Sequence, residues 1–260
     1  LELEKIKIKI DIKKIQLFLS TNNPQITYQN IKIPIKEIKI FTKIDKLLNS
    51  KIEINQIIFV IEKFKIPDIQ KLSTRIKPSN FKTYLLNNLY GGEIEKGLFD
   101  LNIDSDFNLV DYKANGSIKK INIVVKKNFE IKDISFNFKI DNNLSLINSI
   151  KASHKDINIS NGSVEILREK DIEIKSKFNS DFNLNETQLN KIFKKIKFFK
   201  ENKIKINGSL VHEFNLKMSD SFKITDYEYK SNGNILQSHL ILQESFKSKF
   251  IERPIKKITL

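Results

Sequence analysis

The chain has 260 residues and carries 46 Lys and Arg against 31 Asp and Glu, a formal net charge of +15. It has no Cys or Trp, one Met and three His, which excludes disulfide scaffolds, thiol nucleophiles and Cys-based zinc or iron–sulfur centres. Seven Gly, five Pro and 40% hydrophobic content exclude collagen-like, Gly/Pro-rich and charged disordered chains.

The dominant signal is period two. From Glu4 to Lys14 the apolar residues Ile6, Ile8, Ile10 and Ile12 alternate with Lys or Asp, which predicts a strand with one apolar and one charged face. After Lys13 and Lys14 the phase flips to Ile15, Leu17 and Leu19, and a β-bulge is the economical reading. The same flip separates Ile31, Ile33 and Ile35 from Ile38 and Ile40, and Ile52 and Ile54 from Ile57, Phe59 and Ile61. A short helical turn fits Ile44 to Leu48. A helix is predicted over 79–89, with Ser79 as N-cap and Gly91-Gly92 as stop.

Strands follow over 98–103, 109–125, 129–140, 157–159, 164–167 and 172–178. A second helix is predicted over 186–199, with Asn185 as N-cap and Gln188 at the capping-box position. The cleanest strand is 204–218, where Ile204, Ile206, Leu210, Phe214, Leu216 and Met218 share a face with Gly208 and His212. The expected fold is mainly β: an elongated, twisted, curved antiparallel sheet, either an open groove or a flattened sandwich.

The chain also repeats itself. Tyr112–Ile118 matches Tyr229–Ile235, and Phe107–Tyr112 matches Phe222–Tyr227. Glycines at 116, 208 and 233 sit in phase with flanking apolar residues, as small positions inside strands do. Asn161-Gly162 also suits a hairpin turn. The repeat reads as duplicated strand pairs.

Chemistry is harder to find. Asp104-Ser105-Asp106 resembles the start of a calcium loop, but Leu109 and Asn115 replace the required Gly and Glu, so a hairpin turn is expected. His154, His212 and His239 share no metal spacing, and His212 is expected to be a hydrogen-bonded core residue. No phosphate loop, nucleophile elbow or zinc-protease motif occurs. The expectation is a non-enzyme without cofactor or metal.

All but three of the basic residues are Lys, spread along the polar side of the alternation among Asp and Glu. Nucleic-acid binders cluster such charge and favour Arg, so no nucleic-acid partner is expected. The Lys residues read as the solvated side of a sheet. Two short helices cannot cover the opposite, apolar side. The sheet must fold onto a second layer or curl into a trough whose lining suits acyl chains. Candidate lining residues are Ile6, Ile8, Ile10, Ile12, Ile33, Ile35, Ile206, Leu210, Phe214 and Leu216.

The segment Leu47-Leu48-Asn49-Ser50-Lys51-Ile52-Glu53-Ile54-Asn55-Gln56-Ile57-Ile58-Phe59 resembles the AsmA-like family, where a short helix ending Leu-Leu-small precedes a strand of this pattern. The stretch from Gly92 through Tyr112 to Ile118 also resembles that family's strand pairs. The resemblance covers most of 1–240 and rests on β-repeat patterns, not on site signatures. It implies a periplasmic β-groove protein of the AsmA, TamB and YhdP type, related to chorein-type bridge-like lipid-transfer proteins. Such a protein moves phospholipid between membranes or assists outer-membrane assembly, held at the inner membrane by an anchor helix absent from this sequence. The longest wholly apolar run here, Ile57–Ile61, is far short of the ~20 residues a bilayer needs. Leu1 and Leu260 both lie in apolar-polar patterns, so the expectation is one continuous repeat region over 1–260, divisible at 90/91, from a longer chain. The rival readings are a closed structural β-module and a basic polyanion binder.

Overall fold

The computed structural model describes residues 6–12, 16–28, 30–44, 53–73, 83, 86–126, 129–192, 203–219, 221, 223–246 and 255–259. Strands β1 (Lys7–Asp11) and β2 (Gln16–Asn22) come first. They are followed by β3 (Ile26–Tyr28), β4 (Ile31–Ile33), β5 (Ile35–Lys43) and β6 (Ile54–Lys65). Helix α1 (Ile66–Ser73) and the short β7 (Leu89–Tyr90) lead into long strands: β8 (Glu93–Ile103), β9 (Leu109–Lys126), β10 (Phe129–Asp141), β11 (Leu144–His154), β12 (Ile157–Arg168) and β13 (Ile172–Leu184). Helix α2 (Glu186–Ile192), β14 (Lys203–Met218), β15 (Ile224–Phe246) and β16 (Ile255–Thr259) follow.

All of these strands except β3 and β4 belong to one 14-stranded antiparallel sheet that does not close on itself. Its order follows the chain: β1, β2, β5, β6, β8 and then β9 to β16 in sequence, with β7 paired to β9. The β3–β4 hairpin is a separate two-stranded piece. The fold is therefore the expected antiparallel repeat, and of the two expected forms it takes the open one.

Local readings fare unevenly. The alternation from 4 to 19 is not one bulged strand. Ile10 pairs with Leu17 and Lys7 with Ser20, so the chain reverses between β1 and β2. A tight reversal shifts the apolar phase just as a bulge does, and period alone cannot separate them. The other two phase changes are bulges, with register slips beside Ile35 and between Gln56 and Ile54. Most of the helix expected over 79–89 lies outside the described residues. Thr83 and Leu86–Asn88 are helical, and Leu89 already belongs to β7. Of the turn at 44–48 only Ile44 is described, and it is helical. The helix expected over 186–199 starts as expected and is described to Ile192, the rest lying outside the described residues. Asn185 N–H donates to Gln188 Oε1 at 2.6 Å, and Gln188 N–H donates to Asn185 Oδ1 at 3.1 Å, a reciprocal capping box.

The duplicated segments occupy equivalent places. The β8–β9 and β14–β15 hairpins are closed by matching backbone bonds, Asp104 N–H to Asn108 O at 3.0 Å and Ser219 N–H to Lys223 O at 2.9 Å. Gly116 and Gly233 sit where a neighbouring strand approaches closely. A Cβ would lie 2.2 Å from Lys96 O at the first and 2.1 Å from Ser209 O at the second. Gly162 lies inside β12, so the Asn161-Gly162 pair is a strand irregularity and not a turn. Among the described residues, Asn161 is one of five non-glycine strand residues with positive φ. The others are Lys63, Lys120, Asp133 and Ser149, at φ between 51° and 57°. They form a line of bulges across β6 and β9 to β12.

One corner of the sheet carries a packed core. Ile61, Phe64, Ile94 and Ile121 are buried there with Ile66 of α1. Ile69 and Leu72 of α1, Ile31 and Ile33 of the small hairpin, and Leu89 close over them. Helix α1 was not anticipated, although Pro67 in its first turn, Asp68 and the spacing of Ile66, Ile69 and Leu72 all favour one.

Candidate functional site: an open apolar sheet face

The registers put the apolar residues of successive strands on one side. From β1 to β6 that side carries Ile8 and Ile10, Leu17 and Leu19, Ile38 and Ile40, then Ile57 and Phe59. Phe99 and Leu101 of β8 continue it, with Ala114 of β9 and Phe138 and Ile140 of β10. Ile147, Val164, Ile166 and Ile174 carry it across β11 to β13. On β14 the row reads Met218, Leu216, Phe214, His212, Leu210, Gly208 and Ile206. On β15 it reads Ile224, Tyr227, Tyr229, Ser231, Gly233 and Ile235. Phe59 stacks on Phe99 with centroids 5.0 Å apart, one of several cross-strand pairs that knit the face together.

The ten residues expected to line a groove separate into three groups. Ile6, Ile8, Ile10 and Ile12 lie along the edge strand β1 and are exposed, Ile8 at 69% and Ile12 at 85%. Ile33, in the β3–β4 hairpin, and Ile35, at the start of β5, pack against the covered corner. Ile206, Leu210, Phe214 and Leu216 are half-buried along β14. The structure thus brings the last four together on one strand and sets the first four at the far edge of the sheet. At the β15 side the apolar residues are exposed again: Ile224, Tyr227, Tyr229 and Ile235.

Along β13 to β15 the opposite side holds the charge, whereas on β2 to β8 it also carries Phe18, Phe41, Ile58, Val60 and Leu98. Lys177 bonds Glu213 at 2.7 Å and Lys217 bonds Glu173 at 2.9 Å, both across β13 and β14. Lys230 reaches Glu228 at 2.8 Å on β15, and Asn215 donates to the same carboxylate at 3.3 Å. The Lys ammonium hydrogen-bonded to each of Glu173, Glu213 and Glu228 holds its carboxyl below the ordinary range. These pairs are exposed, so they set the character of the surface more than its stability.

Across β13 to β15 the apolar face carries a polar row. On β14 the His212 ring stacks on Phe178 of β13 with centroids 4.6 Å apart, and lies 6.0 Å from the Tyr229 ring on β15. Ser180 Oγ is 2.7 Å from Nε2, while Tyr229 Oη and Ser231 Oγ are 2.7 Å and 3.3 Å from Nδ1. Partial burial pushes the His212 pKa down, so the neutral ring is favoured. His212 is hydrogen-bonded, as expected, but half-buried and not enclosed in a core. Its partners come from strands 32 and 17 positions away, and nothing local in the sequence marks them.

The remaining candidates are structural. Asp104 accepts bonds from the backbone N–H of Asp106 and Asn108 and from Asn108 Nδ2, at 2.8–3.1 Å. Its carboxylate is spent on closing the turn, and those bonds hold its pKa down, with Asn108 N–H foremost. His154 Nδ1 lies 2.6 Å from Glu130 O. Among the described residues no group of three His, Asp or Glu is placed to hold a metal ion, and no helix is long and apolar enough to cross a membrane. No protein-family profile, curated protein or solved structure matches the chain.

Proposed function

We propose that this chain is a non-enzymatic envelope protein of AsmA-like type whose apolar sheet face binds or conducts phospholipid acyl chains between membranes. The observation that carries the reading is the continuity of that face. It runs from Ile8 on β1 to Tyr229 on β15; α1 and the β3–β4 hairpin cover one corner, and α2, whose Leu189 is 2% exposed, lies against β14, where Ile204 is buried. Monomers do not normally leave an apolar surface of this extent to water. At ~0.8 kcal/mol per buried CH2, ten methylenes laid on the face gain about 4 kcal/mol even if only half their surface is covered. That is enough to hold a lipid reversibly, as a carrier requires.

In this reading the protein works in the periplasm, held at the inner membrane in its parent chain, and moves lipid toward outer-membrane assembly. The open repeated sheet supports the resemblance that suggested it. A closed structural module is less well supported, because the 14-stranded sheet does not close on itself. A polyanion binder is less well supported too, because Lys177, Lys217 and Lys230 are paired with carboxylates on the polar side.

The test is lipid co-purification. Phe214→Asp or Leu216→Asp places a charge on the half-buried row of β14. Each is expected to abolish co-purified lipid, read by mass spectrometry, while the circular dichroism spectrum stays β-type. Undiminished lipid in the variants, or none with the native chain, overturns the proposal.

A further inference from the structure

We infer that Tyr229 and Ser231, braced by His212 and Ser180, bind the ester carbonyl oxygen of a diacyl lipid whose chains lie on the apolar face. The inference rests on the reading of that face as an acyl-chain surface, and adds a point at which the lipid is held in register.

The argument begins with hydrogens. A neutral imidazole offers one N–H and one lone pair. Nε2 is taken by Ser180 Oγ at 2.7 Å, and Ser180 is only 6% exposed. Nδ1 has two hydroxyl neighbours, Tyr229 Oη at 2.7 Å and Ser231 Oγ at 3.3 Å. If Nδ1 carries the lone pair, it accepts one of the two hydroxyl hydrogens and the other is spare. If Nδ1 carries the hydrogen, both are spare. Either way an unused O–H donor stands on an apolar face.

Both hydroxyls are within reach of a ligand. Tyr229 is 56% exposed, and Ser231 is exposed beside it. The described pairing of β15 with β16 begins only at His239, so among the described residues the outer edge of β15 has no partner strand beside them. A spare donor on apolar surroundings suits an acceptor that carries no donor of its own and is attached to hydrocarbon. An acyl ester carbonyl is that group.

The charge pattern separates this ligand from its anionic relatives. A free carboxylate or a phosphate would call for a cation. The rings and hydroxyls that contact His212 are Phe178, Ser180, Tyr229 and Ser231, none of them basic. Partial burial also disfavours the charged form of the ring.

The test compares two lipids that differ only at the carbonyl. The whole chain is titrated calorimetrically with a short-chain diacyl phosphatidylcholine and with its dialkyl ether analogue of equal chain length. The native protein is expected to bind the diester about tenfold more tightly, the effect of one or two net hydrogen bonds. The double variant Tyr229→Phe/Ser231→Ala is expected to bind both lipids alike, at the strength of the ether. Its circular dichroism spectrum reports that the sheet persists. Equal binding of the two lipids by the native chain overturns the inference and leaves the acyl-chain surface intact. A diester preference that survives in the variant overturns it as well, because the carbonyl then sits elsewhere. Binding of neither lipid removes both readings together.

Discussion

At the scale of single residues, glycine shows how tightly the strands are fitted. A Cβ at Gly233 would lie 2.1 Å from Ser209 O and 2.7 Å from Leu210 Cα, both backbone atoms of β14 that cannot turn aside as a flexible side chain would. Gly233→Ala is therefore expected to cost about 1–3 kcal/mol, the usual penalty of overfilling a packed site. Its urea midpoint should fall while Ser117→Ala, on the polar side, leaves the midpoint nearly unchanged. Equal midpoints for the two variants would show that the β14–β15 pair can separate freely at this point. The sequence made this position legible, because Gly233 keeps the apolar phase of its neighbours. It did not make the polar row legible. His212 stood out on the apolar side of its strand, but Ser180, Tyr229 and Ser231 meet it only through pairings between strands, and pairing register is not written in any one strand.

At the scale of elements, the same kind of residue has two different roles. Ile121 is 4% exposed in the corner beneath α1, whereas Ile8 on β1 is 69% exposed. Ile121→Ala is expected to destabilise the chain by about 3 kcal/mol, as deletion of a buried branched side chain does. Ile8→Ala should change the unfolding midpoint little and reduce only the lipid held. A large stability loss at Ile8 would mean that β1 is covered in solution and that its face is a core. The strands were largely legible because strict alternation has no other common cause. β11 escaped because Ser149, with φ at 56°, breaks its phase: Leu144 and Leu146 lie on one side, Ile147 and Ile150 on the other. β1 and β2 read as one strand in the sequence because a reversal and a bulge shift the pattern equally. Helix α1 is not legible in the sequence, because eight residues give too few turns for a period to declare itself against the surrounding strands.

At the scale of the whole molecule, strands next to one another in the sheet are next to one another in the chain, apart from the β3–β4 and β7 excursions. No late strand returns to seal an early one. Protection against amide hydrogen exchange is therefore expected to fall in steps, from the covered core of β6 to β10 outward to β1 and β16. Equal protection across all strands would contradict this and mark the sheet as a single cooperative unit. The same topology bears on how such a chain can change length. In a barrel, an added hairpin alters the circumference and forces every register to adjust. In this sheet, an added hairpin moves its neighbours apart by about 10 Å and leaves their own pairings untouched. Duplication of a strand pair, of which the β8–β9 and β14–β15 hairpins retain the mark, is then a graded way to set how far the apolar face reaches. The distance spanned is counted in hairpins and can be lengthened or shortened by whole units without redesign of the rest.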